Sequence, residues 1–152
     1  MRTQSSQRVA SHARRNADTL PYLKFAALRL DALGMRYVLV QEIAQYYANA
    51  VAHQNDSDRS IASDGLHQIE GTNGRLEDLR DCTTRLRELY KELWLRENRP
   101  TWLPNILQRY DRQTTLWQEQ IERFQQIAQD FDAKKPLPRA ESLGLPVVQP
   151  AR

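Results

Sequence analysis

The amino-acid sequence predicts an all-α protein: an antiparallel bundle of three long helices, with one or two short helices and a Pro-rich disordered C-terminal tail. Three observations lead there. Apolar residues recur every three or four positions over three long stretches. Only 5 glycines occur in 152 residues, too few to punctuate many short strands. The polar breaks between the stretches are short, so consecutive helices have to fold back on one another.

Residues 1–18 read as a basic flexible arm or short helix, because Arg2, Arg8, Arg14 and Arg15 all precede the first acidic residue, Asp18. Counterion release would reward such an arm on nucleic acid, and surface potential would reward it on anionic lipid. No interleaved aromatic residues or RNA-binding motif accompany the charges, so a solvated terminus is the simpler reading and nucleic acid is not an expected partner.

Residues 19–133 carry the bundle. From Leu20 to about Gln54, the residues Leu23, Ala27, Leu30, Tyr37, Val40, Ala44, Tyr47 and Val51 form one stripe, with Arg29, Asp31, Arg36 and Gln45 elsewhere around the helix. Thr19-Leu20-Pro21 suits the start, since proline fits a first turn whose N–H groups are unpaired anyway. Gly34 is an internal weak spot of about 1 kcal/mol relative to Ala, which a closely passing helix would explain. At Asn55-Asp56-Ser57-Asp58 the helix stops, and Ser57 or Asp56 is placed to cap a short helix through Ile61, Leu66 and Ile69.

Gly71-Thr72-Asn73-Gly74 is a reversal built from residues that tolerate positive φ. A second long stripe follows through Leu76, Leu79, Cys82, Leu86, Leu89 or Tyr90, and Leu93, ending near Asn98. Pro100 pushes Arg99 out of the helical region, after which Thr101 is expected to cap the third long helix, with Pro104 in its first turn. There Leu103, Leu107, Tyr110, Thr114, Trp117, Ile121, Phe124, Ala128 and Phe131 recur with near-heptad spacing. From Lys134 on, Pro136, Pro138, Pro146 and Pro150 accompany no periodic pattern, and 134–152 is expected to be an extended tail, with Leu143, Leu145, Val147 and Val148 able to form a short strand or hook.

The charge and cysteine content exclude several classes. A net charge of +3 is mild, and Cys82 is the sole cysteine, so no intramolecular disulfide forms. No signal-peptide core and no bilayer-spanning run is visible, so the chain as encoded is expected in the cytoplasm, with no membrane partner. His12, His53 and His67 lack metal-ligand spacing. Glu42, Glu77, Asp78, Glu88, Glu92 and Glu119 sit mostly near Lys or Arg on helix faces, for example Glu88 with Lys91 and Glu92 with Arg96, as solvated pairs do. Cys82 lies on an apolar stripe and reads as a core residue rather than a nucleophile. The glycines at 71 and 74 have no preceding strand and no following Lys-Ser/Thr, so they do not form a phosphate-cradling loop. No catalytic residue, metal ligand or cofactor is assigned.

The densest cluster is Leu93 to Leu103, where Trp94, Asn98, Arg99 and Trp102 gather at a helix–helix corner, with Tyr110 one helical step beyond. Trp can pack such a corner and receive Arg by cation–π contact, while Asn98 and Arg99 are placed to meet free carbonyls at the helix end. A docking surface or carbohydrate platform is the competing reading of the same five residues.

The run Gly71-Thr72-Asn73-Gly74-Arg75-Leu76-Glu77-Asp78-Leu79-Arg80-Asp81, followed by Tyr90 through Pro100 and Trp102 to Tyr110, resembles the C-terminal helical region of bacterial β-N-acetylhexosaminidases of glycoside hydrolase family 20. The resemblance spans roughly Leu20 to Phe131. That family uses an adjacent Asp-Glu pair on a barrel strand, the Asp orienting the acetamido nucleophile and the Glu acting as acid/base. This chain has no Asp-Glu dipeptide, and it lacks the length of a (β/α)₈ barrel, so no family catalytic residue carries over. The resemblance therefore implies a non-catalytic accessory module in a carbohydrate-metabolism context, packing against a hydrolase barrel domain. The alternative is an independent helical interaction or dimerisation module that self-associates through its near-heptad stripe.

Overall fold

A computed structural model describes residues 18–149; the expected basic arm, apart from Asp18, and Pro150 of the tail lie outside the described residues. Within them the protein is all-α, with no strand. Four α-helices follow in order: α1 (Leu20–His53), α2 (Ser60–Glu70), α3 (Arg75–Glu97) and α4 (Leu103–Asp132), with 3₁₀ turns at Pro100–Trp102 and Ala140–Leu143.

Side-chain contacts set the directions of the long helices. The Tyr22 hydroxyl at the start of α1 donates to the Leu93 carbonyl near the end of α3 at 3.4 Å, while Glu42, further along α1, pairs with Arg75 at the start of α3. α1 and α3 thus run antiparallel. The same holds for α3 and α4, where Arg87 pairs with Asp111 at 2.6 Å and Arg80 donates to Gln118 at 3.3 Å. The short α2 packs across α1 and α4 at one end of the molecule.

Local chemistry explains the helix ends, with several departures from expectation. α1 starts at Thr19 with Pro21 in its first turn, as anticipated. α2 is not capped by Asp56 or Ser57. Instead Asp58 Oδ1 accepts the Ser60 N–H at 2.9 Å, a local hydrogen bond that also holds the Asp58 carboxyl below its usual range. In the 71–74 reversal only Asn73 has positive φ, at 61°. Gly71 and Gly74 are needed for closeness: a Cβ on Gly71 would sit 2.3 Å from the His67 ring, and one on Gly74 would sit 2.7 Å from the Gly71 carbonyl oxygen. Thr101 does not cap α4, because Pro100–Trp102 forms a 3₁₀ turn that leads into Leu103. At Gly34 a Cβ would meet no atom within 4 Å, so no passing helix accounts for it.

The core lies where the second half of α1 meets α2, the start of α3 and the second half of α4. Tyr47, Leu66, Ile69 and Phe124 are its largest fully buried side chains. The rings of Tyr47 and Phe124 meet edge to face at 5.8 Å, a favoured aromatic geometry.

The C-terminal segment departs most from its expected state. Rather than hanging free, 134–149 folds back over this core: Leu143 is buried, and Leu137, Ala140 and Leu145 pack beside it. The Tyr47 hydroxyl donates to the Pro138 carbonyl at 2.7 Å, the Leu137 N–H to Gln54 Oε1 at 3.1 Å, and Arg123 to the Ser142 carbonyl at 2.8 Å. Proline spacing rules out a long helix there. It does not rule out an irregular segment anchored by scattered leucines.

Candidate functional site

The aromatic corner resolves into a packed part and an exposed part. Trp94 Nε1 donates to the Arg99 carbonyl at 2.9 Å, and the Asn98 N–H meets the Trp94 carbonyl at 2.9 Å, so the indole and backbone together close the end of α3. Tyr90 is the hub, with its ring 6.0 Å from Trp94, 6.1 Å from Tyr110 and 5.7 Å from Phe25. Trp102 stands apart and is 67% exposed. The expected Trp–Arg cation–π contact does not form at this corner. Among the described residues such contacts join Arg36 to Trp117, Arg59 to Phe131 and Arg75 to Tyr46.

The corner opens onto a cleft of about 870 Å³ between the first half of α1 and the middles of α3 and α4. Its origin is visible in the three stripes. On α3, Leu76, Leu79 and Leu93 are buried, yet Leu86 and Tyr90 between them are only half-buried. On α4 the stripe is buried at Leu103 and Leu107 and again at Ile121, Phe124 and Phe131, while Tyr110, Thr114 and Trp117 between are half-buried. On α1 the expected stripe holds only in its second half. Phe25 alone is buried before Leu39, and Leu23, Leu30, Tyr37 and Val38 are more than half exposed. The two helices α3 and α4 thus present a partly covered apolar floor that the first half of α1 does not close.

Cys82 is half-buried in this cleft rather than within the core. Its burial raises the thiol pKa, with the Arg85 charge opposing, which keeps it protonated and a poor nucleophile. Burial likewise raises the Tyr110 hydroxyl, while the Arg29 charge pulls it back. Trp117 is fixed through Nε1, which donates to Thr83 Oγ1 at 3.2 Å, and the Arg36 guanidinium lies 5.2 Å above its ring.

The charge lining this cleft is of one sign among the described residues. Arg29, Arg36 and Arg109 line it, and among the described residues no carboxylate does. An adjoining hollow of about 580 Å³ shares Arg36 and Arg109, adds Arg112, and is bounded at its far side by Leu143 and Leu145 of the docked C-terminal segment. Arg75, Arg80 and Arg87 are each paired with carboxylates. The four cleft arginines form no ion pair among the described residues, a state they share with Arg59, Arg85, Arg96, Arg99, Arg123 and Arg139, so what marks them is their convergence on one cleft.

Sequence reasoning missed these arginines. Arg29 and Arg36 read only as residues off the apolar stripe of α1, and no local pattern marks Arg109 and Arg112. The one signal was their spacing, seven apart on α1 and three apart on α4, which keeps each pair on one helix face. Of the five corner residues, Trp94 and Tyr110 meet at the Tyr90 ring, Asn98 and Arg99 join Trp94 through hydrogen bonds at their backbone groups, and Trp102 is left outside.

No group of three His, Cys, Asp or Glu residues able to hold a metal ion occurs among the described residues. His53 is engaged with Asp56 at 2.7 Å and His67 lies 4.0 Å from Glu70. None of the helices is long and apolar enough to cross a membrane, among the described residues. No family model, no curated protein and no solved structure matches this chain.

Proposed function

We propose that the chain is a non-catalytic helical module, an antiparallel bundle that works by docking on a larger protein through the first half of α1 and the cleft beside it. The observation that carries this reading is the run of exposed apolar side chains on α1: Leu23 at 60%, Leu30 at 70%, Tyr37 at 69% and Val38 at 53% exposure. Scattered exposed leucines need no explanation, but a contiguous apolar strip beside an open apolar cleft is the usual mark of an interaction surface.

The partner suggested by the sequence resemblance is the barrel domain of a family 20 β-N-acetylhexosaminidase. A self-contained interaction or dimerisation module is the second reading. What weighs against self-association through the near-heptad stripe of α4 is that Leu107, Ile121, Phe124 and Phe131 are already buried within the chain.

The test is to co-express the chain with a family 20 barrel domain and to measure the mass of the product by light scattering behind size exclusion. A stoichiometric complex that is lost in a Leu30→Ser/Leu33→Ser variant is the expected outcome. A monodisperse monomer that ignores the barrel, with thermal stability unchanged by the two substitutions, removes the barrel reading. A discrete dimer broken by the same pair of changes would favour the second.

A further inference from the structure

We propose that the cleft between α1, α3 and α4 receives an acidic amphipathic helix contributed by the partner protein. This rests on the docking reading above and specifies the chemistry of the docking element.

Charge complementarity is the first argument. Arg29, Arg36, Arg109 and Arg112 converge on the cleft and its adjoining hollow, no carboxylate lines either, and none of the four is ion-paired among the described residues. Four like charges beside an apolar floor repel one another until an anionic surface meets them, and complementary charge there also speeds encounter and rejects basic partners. The same charges weigh against two nearer candidates. The N-terminal arm carries Arg2, Arg8, Arg14 and Arg15 before any acidic residue, so placing it here sets cation on cation. A second copy joined symmetrically through this face would bring one cluster of arginines against the same cluster of its partner.

Shape is the second argument. The α1 wall of the cleft, from Ala26 to Arg36, runs about 15 Å at 1.5 Å per residue, close to three helical turns. The floor opposite is built from α3 and α4 residues, including Leu79, Leu86 and Trp117. A long open trough between helices takes the i, i+3, i+4, i+7 anchors of an amphipathic helix. Strand addition would instead need a free sheet edge, and the described residues contain no strand.

The experiment uses the full chain and two fluorescein-labelled synthetic helices with identical leucine spacing, one flanked by Glu and the other by Lys, read by fluorescence anisotropy. Binding of the Glu helix at least about tenfold tighter than the Lys helix is expected, weakening as salt is raised. An Arg36→Glu/Arg109→Glu variant, checked for native helicity by circular dichroism, should reverse that preference. Both side chains are exposed; should this variant misfold, Arg36→Gln/Arg109→Gln should still lose about fivefold for the Glu helix and nothing for an uncharged one. Equal binding of both helices, or tighter binding of the Lys helix, overturns the acidic assignment while leaving apolar docking standing. Binding of neither helix overturns the helix-in-cleft proposal, and the barrel co-expression above then decides the docking reading separately.

Discussion

The two halves of α1 belong to one unbroken helix of 34 residues, yet they live in different surroundings. From Leu39 to Ala50, the side chains of Leu39, Ile43, Ala44, Tyr47 and Ala50 are buried. From Leu23 to Val38, only Phe25 is. The difference comes from the neighbours. α2 and the docked C-terminal segment both lie over the second half, where Ala62, Leu66, Ile69 and Leu143 join the core cluster. The first half has α3 on one side and open cleft on the other. Apolar periodicity makes a segment helical, but burial depends on whether the rest of the chain supplies a second layer.

The contrast predicts a steep gradient in mutational cost. Phe124→Ala removes a ring that is 2% exposed and stacked edge to face on Tyr47, and it should destabilise the protein by about 3–5 kcal/mol. Chemical denaturation followed by circular dichroism measures this. A loss under about 1 kcal/mol would mean that the second half of α1 is not the anchored half.

The legible part of the sequence maps onto the same gradient. The three long helices, the breaks at 55–58, 71–74 and 99–101, and the burial of Ala44, Tyr47, Leu66 and Phe131 follow from local pattern. Two things did not. The docking of 134–149 depends on Leu137, Leu143 and Leu145 finding a surface made by residues some ninety positions earlier, such as Tyr47, and no local period records that. The cleft arginines were hidden for the opposite reason. On a helical wheel Arg29 and Arg36 look solvated, and only the position of α4 turns them toward Arg109 and Arg112. At the corner, the sequence places Trp94 and Trp102 together, while the fold separates them by giving Trp94 a carbonyl partner and Trp102 none among the described residues.

A smaller effect probes the same core through the buried Tyr47 hydroxyl. Tyr47→Phe deletes the hydrogen bond to the Pro138 carbonyl and should cost about 1 kcal/mol at neutral pH. It should also change the alkaline limb of stability. Burial pushes the Tyr47 hydroxyl from 10.0 up to about 12, with the Arg123 charge opposing. Below pH 10.0 both folded and unfolded chains hold this proton. Between that value and about 12 the unfolded chain releases it first, so stability is lost as pH rises through this window. The phenylalanine variant should show a shallower decline there, measured by urea melts across the range. An unchanged slope would separate Tyr47 from the alkaline transition.

Gly34 tests the open half with a gain rather than a loss. It lies inside α1 with no atom within 4 Å of where a methyl would go. Gly34→Ala should therefore stabilise the helix by about 0.5–1 kcal/mol, seen as a rise in Tm. A destabilisation would place something against that face which the described residues do not supply.

The smallest expected effect is at Trp102. At the corner the two tryptophans differ in kind: Trp94 closes the end of α3 through its indole N–H and stacks on Tyr90, whereas Trp102 is 67% exposed in a 3₁₀ turn. A large side chain with that exposure contributes little to the folded state, because most of its surface remains in water after folding. Trp102→Ala should change stability by less than about 0.5 kcal/mol, while Trp94→Ala should cost clearly more. Parallel melts of the two variants compare them directly. Because Trp102→Ala leaves the fold intact, any weakening of barrel capture it causes reports on the docking surface alone. Unchanged capture would confine docking to the α1 strip and its cleft, and it would leave the exposed indole outside the interface.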